Sequence, residues 1–375
     1  MTSAPGLTSP ARTPERTPED VAEALAGRLF EAGLGAFEIT CVHLGVRLGL
    51  YRALADAGPC RYPELATAAG VDARYAREWC EQQAAAGLLA VDDVAAPAEQ
   101  RRFTLPAGSE AVLLDLDSPA YLGALGGFVE SIGRVFPALE RAYRHGGGVP
   151  YADYGVHDAQ AALNRPVYTR LLVQDWLPRV PDLHARLGSG DARVAELGCG
   201  EGWAAVALAA GYPGLQVDGF DADDASVAAA RAHAGERGVA DRVRIEVADV
   251  AALPATAGGG YDAVFLFEML HDLARPVDAL RTARRLAGDG AAPVIVMDER
   301  AEETFTAPAG PIERFLYSAS VLHCLPVGRC EHPSAATGTV LRPDTLRRYA
   351  AEAGFSSLRV LPIEHDMFRC YRLEG

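Results

Sequence analysis

A glycine-rich segment that follows an apolar run is the strongest chemical signal in this sequence. Gly198, Gly200 and Gly202 alternate with other residues and precede an alanine-rich helical stretch. Glycines let the backbone turn with positive φ and let a ligand approach closely. Dinucleotide sites favour the different spacing G-x-G-x-x-G, with a pyrophosphate at the helix N-terminus. Glu196, two residues before the first glycine, would repel a pyrophosphate and suits the ammonium of a methionine-derived ligand.

Two further acids follow the next two strand-like runs. Asp221 lies 23 positions after Gly198, near the spacing at which an acid accepts hydrogen bonds from ribose hydroxyls. Asp249 ends the third run, where a carboxylate can reach an adenine amino group. Either residue alone is also typical of a helix cap or a turn. Together they favour a nucleoside site, since open α/β sheets bind ligands at the carboxyl ends of their strands.

The elements that must position these acids alternate between strand-like and helical stretches. Apolar runs occupy residues 192–198, 215–221, 243–249, 261–268 and 292–298, and helical stretches occupy 203–210, 225–237, 276–286 and 343–353. This alternation predicts a parallel sheet covered by helices on both faces. Two last runs, at 357–364 and 366–374, have no helix between them and predict an antiparallel closing hairpin.

The N-terminal part of the chain has a different organisation. Residues 1–20 are rich in Pro, Thr and Ser and predict a flexible tail. Within 21–115, a short helix at 63–69, a turn at 70–72, a second helix and two strand-like pieces predict a winged helix-turn-helix domain. Residues 116–188 predict a helical connector rich in aromatic residues, and 189–375 form the α/β domain.

Composition limits the partners of this chain. A length of 375 residues favours two domains. The net charge is −15, and residues 1–115 carry 10 arginines against 16 acidic residues, which argues against a nucleic-acid partner. We expect no membrane partner and a cytoplasmic location, because Gly, Arg or Pro interrupts the apolar runs before the roughly 18 residues of a membrane span.

With these motifs in order, residues 189–375 resemble the class I S-adenosylmethionine-dependent methyltransferases. The resemblance rests on ELGCGEG at 196–202, FDADD at 220–224 and IEVADV at 245–250. The whole chain resembles actinobacterial members with an N-terminal winged helix and is similar to small-molecule O-methyltransferases. This implies a Rossmann-like seven-stranded sheet, S-adenosylmethionine as cofactor, and a winged-helix domain that serves homodimerisation. Asp221 would contact the ribose, and Asp249 and Phe267 would complete the cofactor site.

The resemblance also implies the catalytic residues. In small-molecule O-methyltransferases a His-Asp pair after the fourth strand contains the general base, which corresponds here to His271 and Asp272. An imidazole has an unperturbed pKa of about 6.5, so it can take a proton from a substrate hydroxyl near neutral pH. Glu299 corresponds to a carboxylate that orients the histidine. In the alternative interpretation, His271 only caps the connection or packs on the cofactor.

A long insertion at residues 300–341 is predicted to line the substrate pocket, because long loops at this end of a sheet usually carry function. Tyr317 and His323 from the insertion, with Phe128 and Tyr154 from the connector, are the candidate pocket residues. The Cys and His residues of the insertion fit no common zinc spacing, so we predict no metal site.

Two other functions fit the same motifs. A methyltransferase-like protein can use this fold for hydroxylation, decarboxylation or pericyclic reactions. A transcriptional regulator with the winged helix can use a nucleoside or metabolite as effector. The identity of the small-molecule substrate, and the choice between O-, N- and C-methylation, stay open.

Overall fold

The computed structural model describes residues 16–254 and 259–375. The first 15 residues of the expected tail lie outside the described residues. Helix α1, Pro18–Arg47, begins inside the segment expected to be a tail. Its start is stabilised by a capping box, in which Thr17 Oγ1 accepts from the Asp20 amide and the Asp20 carboxylate accepts from the Thr17 amide.

The predicted helix-turn-helix and wing form the N-terminal domain. Its elements after α1 are α2 Leu50–Ala57, β1 Cys60–Arg61, α3 Tyr62–Ala69, α4 Ala73–Ala85, β2 Ala90–Val91 and β3 Arg102–Thr104. The three short strands pair antiparallel in the order β1-β3-β2. Tyr51 and Trp79 pack edge to face in its core, with ring centroids 5.0 Å apart. Strand β1 was not predicted, because two residues carry no periodic pattern.

The connector is helical, as predicted, and continues into the α/β domain. Helix α5, Ser109–Leu113, precedes the connector, which consists of α6 Gly126–His145, α7 Tyr151–Tyr154, α8 His157–Pro166, π-helical turns at Val167–Trp176, and α9 Pro181–Leu187. The π-helical turns pack against the first helix of the α/β domain. The connector therefore reaches the glycine-rich segment, which precedes that helix.

A seven-stranded sheet forms the core of the α/β domain and confirms the predicted fold class. Its strands are β4 Arg193–Leu197, β5 Gln216–Asp221, β6 Val243–Val247, β7 Ala263–Phe267, β8 Val294–Glu299, β9 Ser357–Val360 and β10 Phe368–Glu374. The order is β6-β5-β4-β7-β8-β10-β9, with β4 to β8 parallel and β10 antiparallel to both of its neighbours. The strand order reverses beside β4, and such a reversal opens a crevice at the carboxyl edge of a sheet.

Helices cover both faces of this sheet. The helices of the domain are α10 Trp203–Gly211, α11 Asp224–Glu236, α12 Pro276–Leu286, α13 Pro311–Ala319, α14 Leu325–Gly328 and α15 Pro343–Glu352. Of these, α10, α11, α12 and α15 pack on the sheet. One apolar core joins the sheet to α9, α10, α11 and the π-helical turns, and a second joins it to α12 and α15. The insertion between β8 and α15 contributes α13, further π-helical turns at Ser320–Cys324, and α14.

Helix α1 departs from the expectation that no stretch is apolar enough to span a membrane. By length and composition alone this helix is long and apolar enough to cross a membrane, although one such helix near an N-terminus is weak evidence for a membrane span. Its C-terminal half packs on α6, where Gly126 lies against Ile39 and His43. Its N-terminal half exposes a row of apolar side chains, including Leu25, Leu29 and Phe30.

Candidate functional site

The glycine segment forms a tight turn directly after β4. Gly198, Gly200 and Gly202 all have positive φ, at 68°, 51° and 75°. A Cβ at Gly198 would lie 2.7 Å from the Met269 side chain, and one at Gly202 would lie 2.7 Å from the Ala230 Cβ. At Gly200 a Cβ would meet open space. The outer glycines are therefore required for packing, whereas the middle one leaves room beside the turn.

A cavity opens beside this turn, and its space of about 520 Å³ includes open solvent at its mouth. Four residues predicted to bind the cofactor line it: Glu196, Gly198, Gly200 and Phe267. Glu201, inside the predicted segment 196–202, lines it as well. Other lining residues were not predicted, and they come from the connector, from α10 and α11, and from the end of β7: Tyr151, His157, Tyr168, Trp203, Ser226 and Glu268.

Glu196 is the chemically distinctive residue of the cavity wall. It is 2% exposed, and its Oε2 has no hydrogen-bond partner among the residues that the structure describes. Burial raises the pKa of its carboxyl group to about 8. An unpartnered buried oxygen costs free energy until a donor reaches it. The cavity therefore fits a ligand that carries an ammonium group to this oxygen, as S-adenosylmethionine does.

The two remaining predicted acids contact protein groups. Asp221 accepts hydrogen bonds from the amides of Gly200, at 2.8 Å, and Asp223, at 2.9 Å, so it braces the glycine turn. Asp249 accepts from the Arg275 guanidinium at the surface. Neither residue lines the cavity as the structure describes it. Their contacts with a ribose and an adenine stay predictions.

Helix α8 and the segment before it cover the cavity. The Tyr151 hydroxyl bonds to Gln160 at 3.0 Å, and His157 Nε2 lies 3.2 Å from an Asp223 carboxylate oxygen. The Trp203 indole stacks on His233. The contacts of Tyr151 and His157 were not predicted, because nothing in the local sequence indicates which aromatic residues of a helical stretch face a ligand.

His271 lies in a buried cluster of carboxyl groups next to the cavity. Its Nδ1 is 2.9 Å from Asp298 Oδ1, to which it is hydrogen-bonded, and 3.0 Å from Glu299 Oε2. Its Nε2 is 3.4 Å from Asp272 Oδ1. The structure thus brings together His271, Asp272 and Glu299, as predicted. Asp298, which accepts the hydrogen bond, was not among the predicted site residues.

The titratable groups in this cluster shift one another's pKa values. Burial lowers the pKa of His271. The carboxyl groups of Glu299, Asp298 and Asp272 together raise it by more than burial lowers it, so the net shift is upward. Burial raises the pKa of Asp298, and the adjacent imidazolium outweighs it, so the net shift is downward. Burial and the Asp298 charge hold the pKa of Glu299 well above its usual range. The cluster therefore stabilises an imidazolium, the form that a general base acquires when it takes a proton.

Three of the four predicted substrate-pocket residues lie together. The His323 ring is edge to face with Phe128, at a centroid distance of 6.3 Å, and with Tyr154, at 4.5 Å. Burial lowers the pKa of His323, and within the described chain its Nε2 has no hydrogen-bond partner. Tyr317 instead packs on Phe305 and receives a hydrogen bond from Arg342.

Potential metal ligands meet only around His271 in the part of the chain that the structure describes. One set comprises His271, Asp298 and Glu299, and the other comprises His271, Asp272 and Cys324, with ligand atoms within 4.8 Å of one another in each. Burial raises the pKa of the Cys324 thiol to about 12, which disfavours the thiolate that binds metals. In the first set, His271 Nδ1 is hydrogen-bonded to Asp298, so these two side chains already satisfy each other without a metal.

Comparison with known families agrees with both predicted domains. Residues 194–290 match a family model described as a methyltransferase domain. Residues 36–114 match a model described as an Rv2258c-like winged helix-turn-helix domain. The second match lies within the predicted boundaries 21–115.

Individual relatives extend the comparison. A ubiquinone biosynthesis O-methyltransferase of Psychrobacter arcticus is 25% identical over 182 residues, which are 48% of this chain and 66% of that protein. The structure of mitomycin 7-O-methyltransferase superposes with a TM-score of 0.62 at 22% identity, over 94% of this chain and 99% of that one. The structure of human N-acetylserotonin methyltransferase in complex with S-adenosylmethionine superposes with a TM-score of 0.65 at 18% identity, over 96% of this chain and 99% of that one. At these identities the structural likeness shows the fold.

Proposed function

We propose that this chain, a class I S-adenosylmethionine-dependent methyltransferase with an N-terminal winged-helix domain, transfers a methyl group to a hydroxyl group of a small molecule. The similar proteins are named for small molecules: ubiquinone biosynthesis, mitomycin and N-acetylserotonin. One observation carries the proposal. The cavity beside the glycine turn, with the unpartnered Glu196 carboxyl in its wall, adjoins a buried histidine that is held by carboxyl groups.

Each part of this site has a proposed task. The turn at 198–202 and Glu196 hold the amino-acid end of the cofactor, and Asp221 and Asp249 hold its nucleoside end. When bound, S-adenosylmethionine supplies an activated methyl group on a positively charged sulfur. His271 takes the proton of the substrate hydroxyl, while Asp298 and Glu299 stabilise the imidazolium that results. Phe128, Tyr154 and the neutral His323 shape the substrate pocket.

A methyl-transfer assay with a panel of phenols tests this function. The protein is incubated with S-adenosylmethionine labelled in its methyl group, and products are identified by mass spectrometry. We expect the label on a substrate oxygen and one demethylated cofactor per product. A converted substrate without label, and without consumption of the cofactor, would contradict methyl transfer. That outcome would favour hydroxylation, decarboxylation or a pericyclic reaction on the same fold.

We expect kcat/KM to rise with pH through an apparent pKa above 6.5. The neutral imidazole is the base, and the surrounding carboxyl groups raise the pKa of His271, so the active form accumulates only at higher pH. Asp298→Asn removes one negative charge and should move the rising limb to lower pH while lowering kcat. The measurement is a pH–rate profile of both proteins between about pH 6 and 9. A limb that moves upward in the variant would contradict this assignment.

We further propose that the chain is a cytoplasmic homodimer that buries the apolar face of α1 against a second copy. Leu25, Leu29 and Phe30 are 52%, 63% and 70% exposed. An apolar groove elsewhere on the molecule, lined by Phe136 and Val321 among others, offers a surface that the same helix of a partner would cover. We propose no nucleic-acid partner, because the arginines of α4 are paired with glutamates, in Arg74–Glu78 and Arg77–Glu81, and such pairing does not favour DNA binding.

Light scattering after gel filtration tests the dimer. The double variant Leu29→Glu, Phe30→Glu is expected to be a folded monomer, because it places two charges in the proposed interface. The control Glu31→Gln changes a neighbouring polar residue of the same helix and should stay dimeric. A wild-type protein that is monomeric at about 10 μM, a concentration at which a micromolar dimer would form, would contradict the proposal.

A further inference from the structure

Glu268 is a strained residue at the junction between the cavity and the His271 cluster. It follows β7 and has a φ of 54°, in the left-handed region that few non-glycine residues adopt. Its amide donates a hydrogen bond to the Met297 carbonyl at 2.7 Å, which holds this backbone in place. Such strain persists where the surrounding structure imposes it and is concentrated at functional sites.

The Glu268 side chain lines the cavity beside the glycine turn. Its Oε2 is buried, and no residue that the structure describes supplies a hydrogen bond to it. Burial raises the pKa of this carboxyl to about 8, and the neighbouring His271 opposes that shift. The cavity thus contains two separate carboxyl groups that each carry an unpartnered oxygen, one from Glu196 and one from Glu268.

These carboxyl groups make the cavity suited to a cation. Among its described lining residues, Glu196, Glu201 and Glu268 are acidic, and the one basic side chain, His157, already faces Asp223. A buried carboxylate without a partner is unfavourable, so a ligand with matching positive charge gains affinity here.

The positions of Glu196 and Glu268 differ along the sheet. Glu196 is paired with Phe265 of the neighbouring strand, so Glu268 lies three residues further toward the carboxyl edge. The carboxyl group of Glu268 also interacts with the charges of His271 and Asp272. One carboxyl therefore lies at the glycine turn, and the other lies on the side of the proposed base.

We propose that Glu268 is the counter-charge of the cofactor sulfonium and makes this site prefer S-adenosylmethionine over its demethylated product. This inference rests on the proposed function. Methyl transfer removes the positive charge from the sulfur, so attraction by a carboxylate at this position ends when the reaction is complete. Glu268 thereby retains the charged cofactor and lets the uncharged sulfur of the product leave. It is a positioning residue that acts on binding, because the proton transfer belongs to His271.

Calorimetric titration of wild-type protein and Glu268→Gln tests this role. Ligands are S-adenosylmethionine, S-adenosylhomocysteine and sinefungin, in which a protonated amine replaces the sulfonium. The variant should bind the two charged ligands about tenfold more weakly, as expected for the loss of one partly buried charge pair, and should bind S-adenosylhomocysteine almost unchanged. The ratio of the two dissociation constants should therefore approach one. Glu236→Gln, which changes a glutamate at the end of α11 outside the lining of the cavity, is the control and should leave the ratio as in wild type.

Proton release gives a second readout. At pH 7, binding of a charged ligand should release a proton from a protonated Glu268, which is measured by repeating the titration in phosphate and in Tris buffers. The variant should release less. A ratio and a proton release unchanged in Glu268→Gln would overturn this inference alone. Binding of MgCl₂ to the wild type, lost in the variant, would overturn it in favour of a metal at Glu268. Failure of folded wild-type protein to bind any of the three nucleosides would instead overturn the proposed function.

Discussion

His271→Ala is expected to lower kcat for methyl transfer by about 10²–10⁴-fold, the usual contribution of a general base. The affinity for S-adenosylmethionine should change by less than about twofold, because a group that acts in the transition state alone does not affect ground-state binding. His271 does not line the described part of the cavity, and its ring contacts carboxyl groups. The measurements are steady-state kinetics on the best substrate of the phenol panel, and cofactor titration.

Two further variants make this result specific. His271→Asn keeps a donor toward Asp298 but provides no base, so it should lose as much activity as the alanine variant while it retains the thermal stability of the cluster. His184→Ala is the matched control, because that ring bonds to the Tyr212 hydroxyl away from the cavity. A loss of less than about threefold in both His271 variants would remove this residue as the base and favour a role in packing.

Gly200→Asp is expected to abolish binding of both S-adenosylmethionine and S-adenosylhomocysteine, with a rise in Kd of more than about 10²-fold. Gly200 has a positive φ, which aspartate tolerates better than most residues, so the backbone should survive the change. The new side chain would occupy the open space beside the turn. Its carboxylate would also lie near Asp221, which accepts from the Gly200 amide, and like charges repel.

Gly238→Asp separates this effect from backbone strain. Gly238 has a φ of 68°, has open space around its Cβ position, and lies just after α11, outside the lining of the cavity. This control should bind both nucleosides like the wild type, as measured by calorimetry. Binding by Gly200→Asp within about tenfold of wild type would show that the glycine turn does not contact the cofactor.

Local patterns explain why much of the α/β domain was predictable. Strands β4, β5, β7 and β8 are buried on both faces, so each of them is a short apolar run in the sequence. Helices α10, α11, α12 and α15 begin close to the predicted residues. The glycine turn was predictable because alternate glycines permit the positive φ values that a tight turn beside a ligand requires. The closing hairpin followed from two runs without a helix between them. These features depend on neighbours in the sequence.

The missed parts of the site depend on tertiary contacts. Asp298 and Glu299 are adjacent at the end of an apolar strand, and only the packing of His271 decides which carboxylate accepts its hydrogen bond. The positive φ of Glu268 accompanies a hydrogen bond from its amide to Met297 of the next strand, a contact distant in the sequence. Tyr151 and His157 reach the cavity because the connector folds over the glycine turn. The sequence showed these residues without showing what they face.

Titration calorimetry of wild-type protein with S-adenosylmethionine, S-adenosylhomocysteine and NAD tests the central claim most directly. The protein is first freed of bound nucleosides, and its folding is checked by circular dichroism. We predict micromolar or tighter binding of the first two ligands, about −8 kcal/mol or more favourable. We predict no binding of NAD, because a pyrophosphate has no donor for the unpartnered Glu196 oxygen. No binding of either methionine-derived ligand by folded protein would contradict the methyltransferase function and leave the winged-helix regulator as the better hypothesis.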